Sequence, residues 1–277
     1  MIYQFRQKGF SLYECPSCGY QSFFPRPKST TQFYQQSSYF HDGQKFLQER
    51  NKKIDITLLP QYQTFVKRLD QIIRSKNFKK GARLLDVGCG SGLFVYLCRK
   101  SQIEARGIDI SKPGIELSRS VGGNCYLGDF IREHRSTKVD YITMFDVIEH
   151  VPNPREFFLK VNTSLKKGGY FIFTTPCADS FARRIFGKYW HLYTPPRHLQ
   201  IFTTKSIRLL LKEFRLEVIS QEKEGQYTNL GYIIAKLLKL YNINNKVLNI
   251  VLKSKLFQNI NIYLNLFDVV TTWTKKV

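Results

Sequence analysis

The residues with the most chemical meaning form a run of glycines behind an acid, Asp86-Val87-Gly88-Cys89-Gly90-Ser91-Gly92. Glycines between a strand and a helix permit a tight turn and let a ligand approach the backbone. The helix beyond the turn adds free amide groups. The spacing is Gly88-x-Gly90-x-Gly92, not the Gly-x-Gly-x-x-Gly of dinucleotide sites, and no Gly-Lys-Ser/Thr ending marks a P-loop. A second acid, Asp109, follows at roughly the 20-residue offset from which a carboxylate reaches ribose hydroxyls in doubly wound folds. Acids beside a ligand suit a positive ammonium better than a pyrophosphate. The plain alternative is a strand-to-helix turn that holds nothing.

Proton acceptors come next. His150 follows an apolar run at the edge where ligands bind in such sheets, and it ranks first as a general base. His198 ranks second and His191 third, although any of them could instead hold a structural hydrogen bond. Segment 176–202 mixes cations with aromatics: Arg183, Arg184, Lys188, Trp190, Tyr193 and Arg197. That mixture suits a planar or acidic small acceptor, and it would also suit an unpaired nucleic-acid base. Trp190, His191, Tyr193 and Arg197 are therefore expected at the acceptor. A surface loop covering the sheet's end is the competing reading.

The elements that must position these residues alternate. Short apolar runs at 83–87, 106–110, 125–127, 139–145 and 169–175 read as strands. Helical patterns at 92–99, 111–121 and 153–165 separate them, with Ser111 as an N-cap. This rhythm predicts βαβ units, hence an α/β fold with a parallel sheet and helices on both faces. A helix at 203–214 and a strand at 216–222 follow. Upstream, Tyr62, Phe65, Val66, Leu69, Ile72 and Ile73 keep the spacing of one buried helical face. Residues 1–30 read as loop. Two apolar helices are expected across 230–256, and a last strand at 261–275.

Composition bounds the rest. The 277 residues carry a formal net charge of +22. Such a charge favours an acidic partner, whether nucleic acid, an anionic membrane or an acidic substrate; lysine-rich codon usage explains it equally well. No apolar run reaches the roughly 18 residues of a membrane span. The first ten residues lack the apolar stretch of a signal peptide. Six cysteines in a chain this long point to a reducing, cytoplasmic setting. Cys15-x-x-Cys18 looks like one knuckle of a zinc ribbon. A structural zinc needs four ligands, no second pair is suitably spaced, and structural zinc is not expected in this chain. The face 230–256 suits a buried helix, a cap on the site or peripheral contact with a membrane.

The motifs resemble those of class I S-adenosylmethionine-dependent methyltransferases, in order. They are Leu84–Gly92, Gly107–Ser111, Gly128–Phe130, Phe145–Val151 and Lys166–Pro176. Arg197-His198-Leu199 with Phe202-Thr203 is similar to a subgroup related to the ubiquinone-pathway O-methyltransferases. The resemblance implies a Rossmann-like, seven-stranded, mostly parallel sheet with an N-terminal extension (1–45). The methyltransferase domain would span 46–229, a helical insertion 230–260 and the last strand 261–277. It implies S-adenosylmethionine as cofactor. Asp86 and Gly88 would lie against the methionine part and Asp109 would take the ribose hydroxyls, with Gly90, Gly92 and Ile110 also at the cofactor. Asp129 would meet the adenine amine, with Phe130 beside the ring. Phe145 and Asp146 would close the other side, and no metal is implied. The expected activity is methylation of a small molecule on oxygen. An RNA methyltransferase and a non-catalytic cofactor-binding protein remain the rivals, and the oligomeric state stays open.

Overall fold

The computed structural model describes residues 1–27, 34–35, 56–58, 61–75, 78–134, 137–230, 233–234 and 260–277. Three strands open the chain: β1 (Ile2–Gln7), β2 (Phe10–Glu14) and β3 (Gln21–Phe24). Residues 1–30 are expected to be loop from the sequence, and residues 2–24 instead hold this antiparallel meander. Lys8 and Gly9 both take positive φ, the twist that closes a two-residue hairpin. Between β2 and β3 the cysteine knuckle folds back, with Gly19 N–H on the Cys15 carbonyl and Cys15 N–H on that of Tyr20. All six cysteines are free thiols.

Helix α1 (Tyr62–Arg74) leads into the alternating core. There follow β4 (Arg83–Val87), α2 (Leu93–Lys100), β5 (Glu104–Asp109), α3 (Lys112–Val121), β6 (Cys125–Leu127) and β7 (Val139–Phe145). Then come α4 (Pro154–Ser164), β8 (Leu165–Pro176), α5 (Phe181–Phe186), β9 (Gln200–Ile201), α6 (Thr204–Glu213) and β10 (Leu216–Lys223). An antiparallel pair of strands, β11 (Gln226–Asn229) and β12 (Asn261–Leu264), precedes the last strand, β13 (Val269–Lys276). The expected strand at 261–275 is thus two strands, of which only β13 joins the main sheet. The helices expected across 230–256 lie almost wholly outside the described residues.

Local chemistry sets the helix starts. Ser111 caps α3 through the Gly114 N–H, Asn153 caps α4 ahead of a proline, and Thr203 with Ser206 forms a capping box on α6. The seven-stranded sheet runs β10-β13-β8-β7-β4-β5-β6, with β13 antiparallel to both neighbours. Alternation along β8 divides the core. Phe171 and Phe173 join Phe158, Ile207 and Leu211 on one face, while Ile172 joins Leu69, Phe94 and Ile115 on the other. Strand β3 pairs with β9, so the N-terminal meander is stitched to the segment that carries His198. No described helix is long and apolar enough to cross a membrane.

Candidate active site

The site collects at the C-terminal ends of β4, β5 and β7, where the strand order reverses. After β4 the backbone turns through Gly88, Gly90 and Gly92, all at positive φ. A Cβ on Gly88 would fall 2.3 Å from Val147 Cγ2, and one on Gly92 would fall 2.2 Å from Ser118 Oγ. These two positions must be glycine both for conformation and for packing.

Asp109 ends β5 and fastens the turn. Its carboxylate accepts the Gly90 N–H at 2.8 Å and the Ser111 N–H at 2.7 Å, one on each oxygen. The Ile110 N–H also lies against this carboxylate, which still has acceptor capacity left among its roughly four lone-pair positions. Burial pushes this carboxyl up, against those backbone donors. Asp86, only 4 % exposed, accepts a hydrogen bond from Thr143 Oγ1 at 2.6 Å. Burial pushes it up to about 7, the Thr143 bond and the Arg68 charge pulling down and Asp109 pushing up.

Arg68 is a residue that sequence reasoning missed. It is 7 % exposed, and its guanidinium lies 4.3 Å over the Phe145 ring. Burial lowers its pKa, while the charges of Asp146, Glu224 and Asp86 act the other way. No described residue accepts a hydrogen bond from it. The signal was in the sequence: Arg68 fills the i+3 slot of the stripe Phe65, Leu69, Ile72. Phe145 packs in turn on Phe65 and Phe94. Asp146, at positive φ, is held to Thr174 by both its backbone N–H and its carboxylate.

Asp129 lies half exposed, accepting the Ile131 N–H at 3.0 Å with Arg132 nearby. Phe130 is in the core against Phe157. Ile110 is half-buried beside Asp109, and its carbonyl accepts from Gln35 Nε2.

Two of the histidines lie side by side. The His150 and His198 rings stand 4.8 Å apart, with Tyr34 edge-on to His150 at 5.7 Å. His150 Nδ1 lies 2.9 Å from the Arg197 carbonyl and His198 Nδ1 lies 2.6 Å from that of Leu192. A carbonyl can only accept, so each Nδ1 carries the proton and each Nε2 keeps a lone pair. Burial lowers the pKa of His150, and burial together with the neighbouring His150 draws His198 down to about 3. Both are neutral near pH 7. Buried Glu149 adds a carboxyl, bonded by Thr175 Oγ1 and pushed up by burial and by Asp146. Ligand atoms of Glu149, His150 and His198 lie within 4.8 Å of one another. That set could hold a divalent cation, which the spacing of these residues in sequence does not announce.

The expected acceptor residues divide. Trp190 is 1 % exposed and donates its indole N–H to Asp268 at 3.1 Å. Tyr193 is buried and donates its hydroxyl to Gln21 at 2.7 Å. Both belong to the small core under the N-terminal meander, with Leu12, Phe23 and Ile201. Arg197 is exposed and His191 half-buried, 3.6 Å from Asp268.

A family profile described as a methyltransferase domain matches residues 59–221. The ubiquinone biosynthesis O-methyltransferase of Alkalilimnicola ehrlichii is 29% identical over 116 residues, 39% of this chain and 47% of that protein. The chain spans about half the length of the first relatives it matches. Among solved structures, the magnesium protoporphyrin IX methyltransferase of Synechocystis PCC 6803, with bound SAH, has a TM-score of 0.57 at 14% identity. That match covers 91% of this chain and 100% of the other. A SAM-dependent methyltransferase from Archaeoglobus fulgidus gives 0.55 at 20% identity, covering 86% and 99%. These structural likenesses concern the fold, a Rossmann-like sheet with helices on both faces.

Proposed function

The chain belongs to the methyltransferase-domain family, and from that premise we propose that it moves a methyl group from S-adenosylmethionine to an oxygen of a small-molecule acceptor. One observation carries the reading. Two acids, a buried guanidinium and two neutral histidines meet at the edge of the sheet where its strand order reverses. The name of the A. ehrlichii relative supports oxygen as the acceptor atom.

The donor set fits the cofactor group by group. Asp109, its orientation locked by Gly90 and Ser111, has acceptor positions left for the ribose hydroxyls. Asp86 supplies a countercharge to the methionine ammonium. Arg68 offers planar paired donors to the methionine carboxylate, the pairing such a fork makes best. Asp129 takes the adenine amine, while Phe145 and Asp146 wall the sulfur side. The sulfonium supplies an already activated methyl group when bound. What remains for the chain is alignment, which can be worth roughly 7–11 kcal/mol, and removal of one proton.

His150 is the base. Its Nδ1–H is spent on the Arg197 carbonyl, so Nε2 can take a hydroxyl proton, with His198 beside it as the second acceptor. On this reading Arg197 and His191 grip the acceptor, while Trp190 and Tyr193 support that segment from beneath. A second reading keeps the site and gives the acceptor oxygen to a divalent cation held by Glu149, His150 and His198. Chelation separates the two: a base survives EDTA, a metal site does not.

The deciding experiment incubates purified protein with methyl-labelled S-adenosylmethionine and a metabolite extract. Label in a small molecule is expected. Label in RNA would favour the nucleic-acid rival, and tight SAH binding without any transfer would favour a non-catalytic binding protein.

A further inference from the structure

We infer that Glu224 is a positioning residue: it fixes the seat of helix α1 and thereby aims the Arg68 guanidinium at the cofactor end of the sheet. The inference rests on the reading of Arg68 as partner of the methionine carboxylate.

Glu224 stands just beyond β10, its backbone N–H on the Val269 carbonyl at 3.2 Å. One side-chain oxygen looks to the sheet, where Thr271 Oγ1 of β13 donates at 2.8 Å. The other looks to the helix, where Gln71 Nε2 donates at 2.7 Å and Lys67 Nζ lies at 3.3 Å. Burial opposes the charge, yet Thr271, Gln71 and Lys67 together hold the carboxyl below its usual range. It is ionised, bonded on both sides and half-buried.

Lys67 and Gln71 are one helical turn apart and share a stripe. Arg68 is on the neighbouring stripe with Phe65, Leu69 and Ile72. Apolar contact with Phe94 attracts α1 without fixing its rotation, because such contact is not directional. Hydrogen bonds are directional. The bonds to Glu224, with a further one from the Tyr227 N–H to Thr64 Oγ1, therefore set how α1 is turned. A guanidinium at the end of a long side chain magnifies any error in that turn. Glu224 also belongs to the charges acting on Arg68, so it offsets part of the cost of burying the cation. The strand pair that follows Glu224 is thus tied to the helix that carries Arg68.

The test compares two ligands by calorimetry: S-adenosylhomocysteine, which has the amino-acid end, and 5′-methylthioadenosine, which lacks it. Arg68→Met should weaken the first by about 10- to 100-fold and leave the second within about twofold, as expected for loss of a buried charged pair. Glu224→Ala should weaken the first by about 5- to 20-fold and spare the second, and Glu224→Gln, which retains an acceptor for Gln71, should recover most of the loss. Equal loss for both ligands in Glu224→Ala, or none, would overturn the positioning role. An unchanged ligand ratio in Arg68→Met would instead strike down the reading of Arg68 itself. Should Glu224→Ala not fold, Gln71→Leu with Lys67→Met removes both helix-side contacts, leaves the Thr271 bond, and carries the same expectation.

Discussion

On the proposed pairing of Asp86 with the methionine ammonium, cofactor binding depends on pH. Burial holds its carboxyl at about 7, so near neutrality half of the free protein carries a proton there. If the ammonium pairs only with the carboxylate, apparent affinity is reduced by a factor of one plus ten to the power of seven minus pH. The factor is about 1.1 at pH 8, about 11 at pH 6 and about 100 at pH 5, and the first interval corresponds to about 1.4 kcal/mol. Titration of S-adenosylhomocysteine by calorimetry from pH 8 to 5.5 should show this bend. Asp86→Asn should flatten it. Thr143→Val removes the 2.6 Å donor, and it should move the bend up by about one to two pH units, since a hydrogen bond to a charged group is worth about 1.5–3 kcal/mol. The free protein responds in the opposite sense. A carboxyl raised on folding adds stability below its unfolded value near 3.8, and that contribution is lost as pH rises through about 7. Asp86→Asn should therefore raise the melting temperature at pH 8 while weakening the ligand. A flat titration in the parent, or a bend that survives in Asp86→Asn, would refute the pairing of this acid with the ammonium.

Three further outcomes are expected. His150→Ala should lower kcat by about 100-fold or more, the usual range for a general base, with S-adenosylhomocysteine affinity within about twofold; unchanged turnover would remove it from the reaction. Gly92→Ala forces a Cβ to 2.2 Å from Ser118 Oγ at a positive φ, and should cost about 2–3 kcal/mol in urea unfolding. Trp190→Phe strips the indole donor from buried Asp268 and should cost about 1–3 kcal/mol while leaving KM for a soluble acceptor unaltered; a raised KM with normal stability would return Trp190 to the acceptor.

The alternating core was legible because its signals are local. Leu84-Leu85-Asp86 ahead of the glycines, Ser111 before α3 and Asn153-Pro154 before α4 each declare an element from adjacent residues. The glycine turn and Asp109 were legible for the same reason. What escaped depends on distant partners. Strands β1 to β3 read as loop although Lys8-Gly9 closes a hairpin, because their core residues Leu12 and Phe23 gain meaning only against Trp190 and Ile201. On α1 the apolar stripe was drawn through Val66, which is 40 % exposed, and past Arg68, which is buried. Hydrophobic periodicity has no way to score a cation as interior. Trp190 and Tyr193 misled for the converse reason: their polar atoms find Asp268 and Gln21, far away in sequence, so amphipathic residues were free to sink.

The pairing of β3 with the two residues of β9 also has a consequence for how the chain is made. Tyr20 and Gln200 hydrogen-bond across a separation of 180 residues. Closing so long a loop costs roughly 4–5 kcal/mol of chain entropy before any contact returns it. At about 5–20 residues per second, a ribosome needs roughly 10–40 s to produce the second partner after the first. During that interval β1 to β3, with Leu12 and Phe23 uncovered, must wait as a nascent hairpin. The earlier-made partner is seated only once the later one exists, and with it the loop bearing Arg197 and His198, so the proposed acceptor side is finished only after the sheet beneath it has folded.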